Sequence, residues 1–202
     1  MKNRWSLVIH EVSSNSVCIW VGTLFPDLRK PETTFIEILD LEGNIIQSSQ
    51  IDKHQWQRPF SKITQQRFYL TLYFENLDAG QEYKVVFKER FHTELQSKDI
   101  ILSSGTFSTL PNSINDLTDG FTLALGSCYY EEYDGGNVSY SFDALRKNNK
   151  GLPKPNIKFL TGDQVYLDIG WDSLSTKPKE IRERIASDYA LHWQALRSVL
   201  RN

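Results

Sequence analysis

Cysteine is scarce in this chain. Only Cys18 and Cys128 occur among 202 residues. They fall in segments of different character, so no structural disulfide is expected and a reducing compartment fits. No apolar run approaches the roughly 20 residues needed to span a bilayer. The opening residues, MKNRWSLVIHEVSS, carry basic groups, but the apolar run stops at Ile9. No small-residue cleavage site and no twin-arginine pair follow, so this is not read as an export signal. The expectation is a soluble chain, cytoplasmic as given, with no membrane partner; the export of any longer parent is left open. Excess charge is also missing. The formal net charge is -2, without the basic stripe that a nucleic-acid partner requires.

What remains is an ordinary globular composition, with 40% apolar and 24% charged residues, which suggests one or two domains. Aromatics make up 12%. Trp5, Trp20, Trp56, Trp171 and Trp193 are spread along the chain and are read as core residues, with no ligand platform among them.

From Trp5 to Leu110 the pattern is short strands and turns. Ser16–Val21 alternates, with Val17, Ile19 and Val21 on one face and Cys18 and Trp20 on the other. Thr34–Asp40 is β-branched and ends before a Glu-Gly-Asn turn at 42–44, after which Ile45 and Ile46 start a hairpin partner. Arg67–Phe74, Glu82–Lys88 and Gly105–Thr109 are further strands. Period-2 alternation with regular turn signals predicts an antiparallel sandwich. In the stretch Glu75–Tyr83, Leu77 and Gly80 precede a strand Tyr whose hydroxyl can bond back to the turn, as in the tyrosine corner of immunoglobulin-like sandwiches. This half resembles a fibronectin type III-like domain. Its histidines, His10, His54 and His92, lie tens of residues apart without ligand spacing and are read as surface or core residues. Residues 111–120 are polar and breaker-rich and read as a linker.

At Gly120 the pattern changes. Phe121–Cys128 is an apolar strand ending in small residues, followed by a Tyr- and Gly-rich loop and a helix over about 140–147. Asn156–Thr161 is a second strand that runs into Gly162-Asp163-Gln164. Strand, helix, strand predicts two parallel strands. A last amphipathic helix over about 177–201 places Ile181, Ile185, Tyr189, Trp193, Leu196 and Leu200 on one stripe, with Lys179, Glu180, Arg182 and Glu183 outside. Ligands of open α/β sheets bind beyond the carboxyl ends of the strands. Cys128 ends one strand, Asp163 follows the other, and Tyr166 can curl back. A thiolate, a carboxylate and a phenolate together repel one another, and a multivalent cation relieves that conflict. Each residue alone has a plainer reading. Cys128 suits a small buried hydrophobe, Asp163 a turn or cap, and Tyr166 the core. Their coincidence at one sheet edge favours the site.

The runs LALGSC at 123–128 and LTGDQVYLD at 160–168 resemble the two opening motifs of PhoD-like alkaline phosphatases, of the calcineurin-like metallophosphoesterase superfamily. Phe107-Ser108-Thr109-Leu110-Pro111 is similar to the Phe-x-Thr-Leu-Pro end of the fibronectin-like domain that such proteins carry. The resemblance implies that Cys128 and Tyr166 ligate ferric iron and that Asp163 bridges iron and calcium. No ligand role is carried to Asp168, and no catalytic residue beyond the metal ligands is identified. The implied reaction is hydrolysis of a small phosphomonoester or phosphodiester, with metals polarising the phosphoryl oxygens and supplying an activated hydroxide. The later motifs of the superfamily, an Asn or Asp-Asp-His stretch and further histidines, do not occur within these residues. Only His192 follows Asp163.

The expected fold class is therefore two domains. Residues 1–110 form an all-β fibronectin III/Ig-like sandwich, 111–120 a linker, and 121–202 the first βαβα portion of a metallophosphoesterase domain. The chain reads as an N-terminal fragment of a larger enzyme from which turnover alone is not expected. Its exposed apolar sheet and helix surface makes self-association an expectation. The alternative is a non-catalytic β-sandwich binding module with a vestigial phosphatase segment. A carbohydrate- or adhesion-type module rests on fold analogy alone.

Overall fold

The computed structural model describes residues 5–23, 30–31, 33–58, 68–92, 96–118, 120–127, 144, 148, 152, 155–162 and 177–185, with the Leu160 side chain excepted. It divides into two compact units, Met1–Asn112 and Ser113–Asn202.

The described residues of the first unit contain seven strands: β1 (Trp5–Val12), β2 (Val17–Thr23), β3 (Thr33–Leu39), β4 (Ile45–Asp52), β5 (Tyr69–Phe74), β6 (Glu82–His92) and β7 (Ser97–Ser108). They form a three-stranded sheet, β1-β2-β5, and a four-stranded sheet, β4-β3-β6-β7. All pairings within these sheets are antiparallel. The inward side chains of both sheets share one core that includes Val17, Ile19, Val21, Ile36, Ile38, Val85 and Phe87. This is a fibronectin type III-like β-sandwich. Each fully buried Ile, Val or Phe contributes about 1.5–3 kcal/mol relative to exposure, so the alternating pattern fixes which face turns inward.

Local chemistry sets the turns. Between β3 and β4, Asn44 N–H donates to Asp40 Oδ1 at 2.8 Å, and Gly43 takes φ +93°, which costs a residue without a Cβ little. Trp5, Trp56 and Phe87 pack with ring centroids 5.1–6.0 Å apart. Trp20, by contrast, is half-buried and stands outside the core cluster, which corrects its reading as a core residue; it lies on the face of β2 opposite Val17, Ile19 and Val21. Cys18 shares that face and is a buried free thiol, beside its register partner Tyr73.

The strands depart from expectation in three places. β1 pairs with β2 along Trp5–Val12, although its sequence shows no strong alternation; the register shift between Ile9 and Glu11 breaks the period. β6 continues to His92, and β7 begins at Ser97 instead of near Gly105. The run Ile100-Ile101-Leu102 does not alternate, and the register shifts as Phe87↔Ser103 gives way to Lys88↔Ile101. A bulge of this kind hides a strand from a period-2 reading. Finally, the linker at 111–120 contains a 3-10 turn, Ile114–Asp116. Ser113 caps it through its side chain, and the Asp116 carboxylate accepts from Ser113 N–H.

The second unit contains β8 (Leu123–Gly126) and β9 (Ile157–Leu160), which pair in parallel. Of the helix expected over 140–147 only Ala144 is described, and it is helical, as is Asn148 just beyond. Residues 178–185 are helical and open on Pro178, whose missing N–H is no loss at a helix start. Ile181 and Ile185 are half-buried there, while Lys179, Glu180 and Arg182 are exposed. The rest of the expected βαβα portion lies outside the described residues. No described helix is long and apolar enough to cross a membrane.

Candidate functional site

The second unit brings the two sequence motifs side by side. Leu123, Ala124, Leu125 and Gly126 pair with Ile157, Lys158, Phe159 and Leu160 in unbroken register. Asn156 fixes the amino-terminal end: its Oδ1 accepts from Thr122 N–H at 2.8 Å, and its N–H donates to Thr122 O at 2.9 Å. At the carboxyl end Gly126 O accepts twice, from Thr161 N–H at 2.8 Å and from the Thr161 hydroxyl at 3.2 Å. The Ser127 hydroxyl crosses in the other direction to Gly162 O at 3.4 Å. A Cβ placed on Gly162 would rest at an ordinary 3.8 Å from Ser127 Oγ. Crowding there is therefore not what requires a glycine.

Cys128, Asp163 and Tyr166 lie outside the described residues, as do Asp168, His192, Trp171 and Trp193. The residues that immediately precede two of them, Ser127 and Gly162, are the ones in contact. Among the described residues, no group of three or more His, Cys, Asp or Glu side chains gathers in a way that could hold a metal. His10, His54 and His92 are all exposed and far apart in sequence. The fit to a metal therefore rests on the donor set. Thiolate and phenolate suit a strongly Lewis-acidic transition metal, and a carboxylate can serve a hard cation such as calcium.

The outer face of the four-stranded sheet carries a charge cluster that sequence reasoning did not single out. Lys88 Nζ lies 2.6 Å from Glu37 Oε1 and 2.9 Å from Asp99 Oδ2. Arg90 meets Asp99 in a bidentate pair at 2.8 and 2.9 Å. The Arg90 guanidinium stands 4.4 Å from the Phe35 ring centroid. The Arg90 fork and then the Lys88 ammonium hold Asp99 well below the usual carboxylate range. Burial acts to lower Lys88, but its bonds to Glu37 and Asp99 raise it on balance. Two acids and two bases neutralise one another here, so the cluster serves the sheet and offers no unpaired charge to a ligand. Its legible signal is the Lys88-x-Arg90 alternation, but its partner Asp99 sits in the part of β7 that the bulge concealed.

No family model matches the chain, and no curated protein matches it. Solved structures with a similar fold include the fibronectin type III domain of human collagen alpha-1(XX), at 12% identity and a TM-score of 0.35. That match covers 56% of this chain and 85% of the domain. The sensor domain of an anti-sigma factor from Pseudobacteroides cellulosolvens matches at 13% identity and a TM-score of 0.32, covering 54% of this chain and 76% of that one. Beta-glucuronidase 2 of Bacteroides uniformis is similar over 98% of this chain and 26% of its own, at 9% identity and a TM-score of 0.38. At these scores nothing about ligand or activity follows from them.

Proposed function

We propose that residues 121–202 furnish the metal-binding edge of a PhoD-like phosphoester hydrolase, with Cys128, Asp163 and Tyr166 as ligands. The supporting observation is the parallel pairing of β8 and β9, with Ser127 and Gly162 in contact at their carboxyl ends. One residue further along each chain stands a motif residue with donor chemistry. This is the edge at which open α/β sheets bind ligands. Cys128 and Tyr166 would hold Fe3+, and Asp163 would bridge it to Ca2+. When bound, such metals polarise phosphoryl oxygens and lower the pKa of a water. The chain's own part is to hold the ends of β8 and β9 together at Ser127 and Gly162, the residues that precede Cys128 and Asp163 in sequence. Turnover of a small phosphomonoester or phosphodiester needs the further donors of the family's later motifs, so metal uptake is the direct test.

The experiment is reconstitution of the chain with Fe3+ and Ca2+, followed by elemental analysis and visible spectroscopy, with p-nitrophenyl phosphate hydrolysis measured alongside. The expected result is stoichiometric iron, lost in Cys128→Ala, and a visible phenolate band, absent in Tyr166→Phe. A chain that retains no stoichiometric metal would sink the reading. It would leave the sandwich as the working part, a non-catalytic interaction module.

A further inference from the structure

The four-stranded sheet ends on β4, and the backbone of that edge is open. Ile51 O accepts from the Thr34 hydroxyl at 3.3 Å, so the Ile51 carbonyl points toward β3. In an antiparallel pair, residues that bond their neighbour alternate with residues that do not. Ile51, Ser49 and Gln47 lie opposite Thr34, Ile36 and Ile38 and bond β3. Ser48 and Gln50 therefore turn their N–H and C=O to the other side. Asp52, next in that outward row, is closed by its own turn. Its N–H donates to Gln55 Oε1 at 2.6 Å, and its C=O accepts from Gln55 N–H at 3.0 Å. Among the described residues, no group bonds the outward backbone of Ser48 or Gln50.

Sheets normally blunt such edges with charges, bulges or cover. β1 carries His10, Glu11 and a register shift. β5 is bridged at Tyr69 by Gln57, and β7 carries Lys98, Asp99 and a bulge. From Ile45 to Ile51, β4 has no charged residue, no Pro and no Gly, and its register shift falls before Gln47. We propose that the β4 edge docks an extended segment of another polypeptide, uncharged in the middle and basic at both ends. Main-chain bonds to Ser48 and Gln50 give such an added strand its attachment. The ends follow from the acids that bound the run, Asp40 and Glu42 before it and Asp52 at its close. The side-chain bonds described on these acids come from neutral Asn44 and Gln50, which leave the charge uncancelled. Lys53, just beyond, is engaged within the chain. A second copy is the poorer occupant. An antiparallel copy lays the acidic start of one β4 along the acidic end of the other, a parallel copy start along start, and like charges across a strand pair destabilise it. The inference concerns the sandwich and does not rest on the phosphoesterase reading.

The test uses the 202-residue chain and a dilute, fluorophore-labelled, capped peptide, Lys-Thr-Val-Thr-Gln-Thr-Val-Thr-Lys, read by fluorescence anisotropy. The peptide should bind. At low salt it should bind roughly tenfold more tightly than the same peptide with Glu at both ends, and the gap should close as salt rises. N-methylation of the peptide's backbone amides should abolish binding. Ser48→Pro removes one outward N–H and no bond to β3, a change that edge strands tolerate. It should weaken binding roughly tenfold with an unchanged circular dichroism spectrum. No binding of the Lys-ended peptide, or equal binding of its N-methylated form, would overturn the proposal. Equal binding of the Glu-ended peptide at low salt would overturn the basic-ended partner. Should Ser48→Pro unfold the sandwich, the N-methylated peptide decides. Self-association that Ser48→Pro abolishes, and that Leu125→Lys with Phe159→Lys leaves in place, would make a second copy the occupant and overturn the choice of partner.

Discussion

The backbone N–H of Asp78 donates to the phenolic oxygen of Tyr83 at 3.0 Å. Tyr83 is buried and stacks on Phe107 at 5.6 Å. Beside it, the buried Thr109 hydroxyl donates to Asp78 O at 2.6 Å and accepts from Gln81 N–H at 3.0 Å. One turn is thus held from both sides, by the strand that follows it and by the chain leaving β7. Tyr83→Phe leaves one donor without its partner and should lower unfolding free energy by about 1–3 kcal/mol. Thr109→Val should cost a similar amount. Because both grip Asp78, the double variant should depart from additivity by about 0.5–3 kcal/mol. Urea unfolding of the four-member cycle measures this, and strict additivity would contradict a shared turn.

Gly22 lies beneath the Trp20 indole. A Cβ there would sit 2.5 Å from Trp20 Cη2 and 2.9 Å from the carbonyl oxygen of Phe68. The indole can swing away, but the carbonyl is fixed by Thr23 N–H at 2.9 Å. Gly22→Ala should therefore destabilise the sandwich by about 1–3 kcal/mol, as overpacking does. Changed tryptophan emission from a more exposed Trp20 should accompany it. A variant as stable as wild type would show that this contact is not tight.

Asp99 gives the sandwich a predictable acid response. Its folded pKa is depressed by Arg90 and Lys88. The stability it contributes is therefore full above the ordinary aspartate value of about 4. It is lost as pH falls below that value and through the depressed folded one. Asp99→Asn should be less stable than wild type at neutral pH, with the difference narrowing steadily below about pH 4. Thermal melts at a series of pH values test this. A difference that stays constant across the acid range would rule the linkage out.

Leu125 and Phe159 are register partners in the parallel pair and are 69% and 48% exposed. Leu123, on the same face, is 51% exposed. Parallel sheets are normally covered on both faces, and an open apolar patch favours association. The chain should self-associate at rising concentration, and Leu125→Lys with Phe159→Lys should restore the monomer in sedimentation velocity. A monomeric wild type over the same range would exclude this face as the cause.

Much of the sandwich was legible because burial imposes a period. Val17, Ile19 and Val21 had to share a face, and Thr34–Leu39 had to be a strand. The corner was legible because Leu77, Gly80 and Tyr83 bring their own turn chemistry. The early part of β7 was not, since Ile100-Ile101-Leu102 breaks alternation at a bulge. With it went Asp99 and the charge cluster, whose members are separated by up to 62 positions in sequence. In the second unit, the parallel pairing of β8 and β9 was legible from the strand, helix, strand order. That the Ser127 hydroxyl meets Gly162 O and the Thr161 hydroxyl meets Gly126 O was not, because neither run names the other as its partner.

The sequence by itself determined the alternating strands, the tyrosine corner and the change of period near Gly120, because each follows from side-chain burial or turn chemistry within a few residues. Only the tertiary structure decided that Thr109 closes the Asp78 turn, that Lys88 lies between Glu37 and Asp99, and that Ser127 meets Gly162. Those contacts depend on register between distant strands, and register is set by how whole faces pack, which no local stretch of sequence encodes.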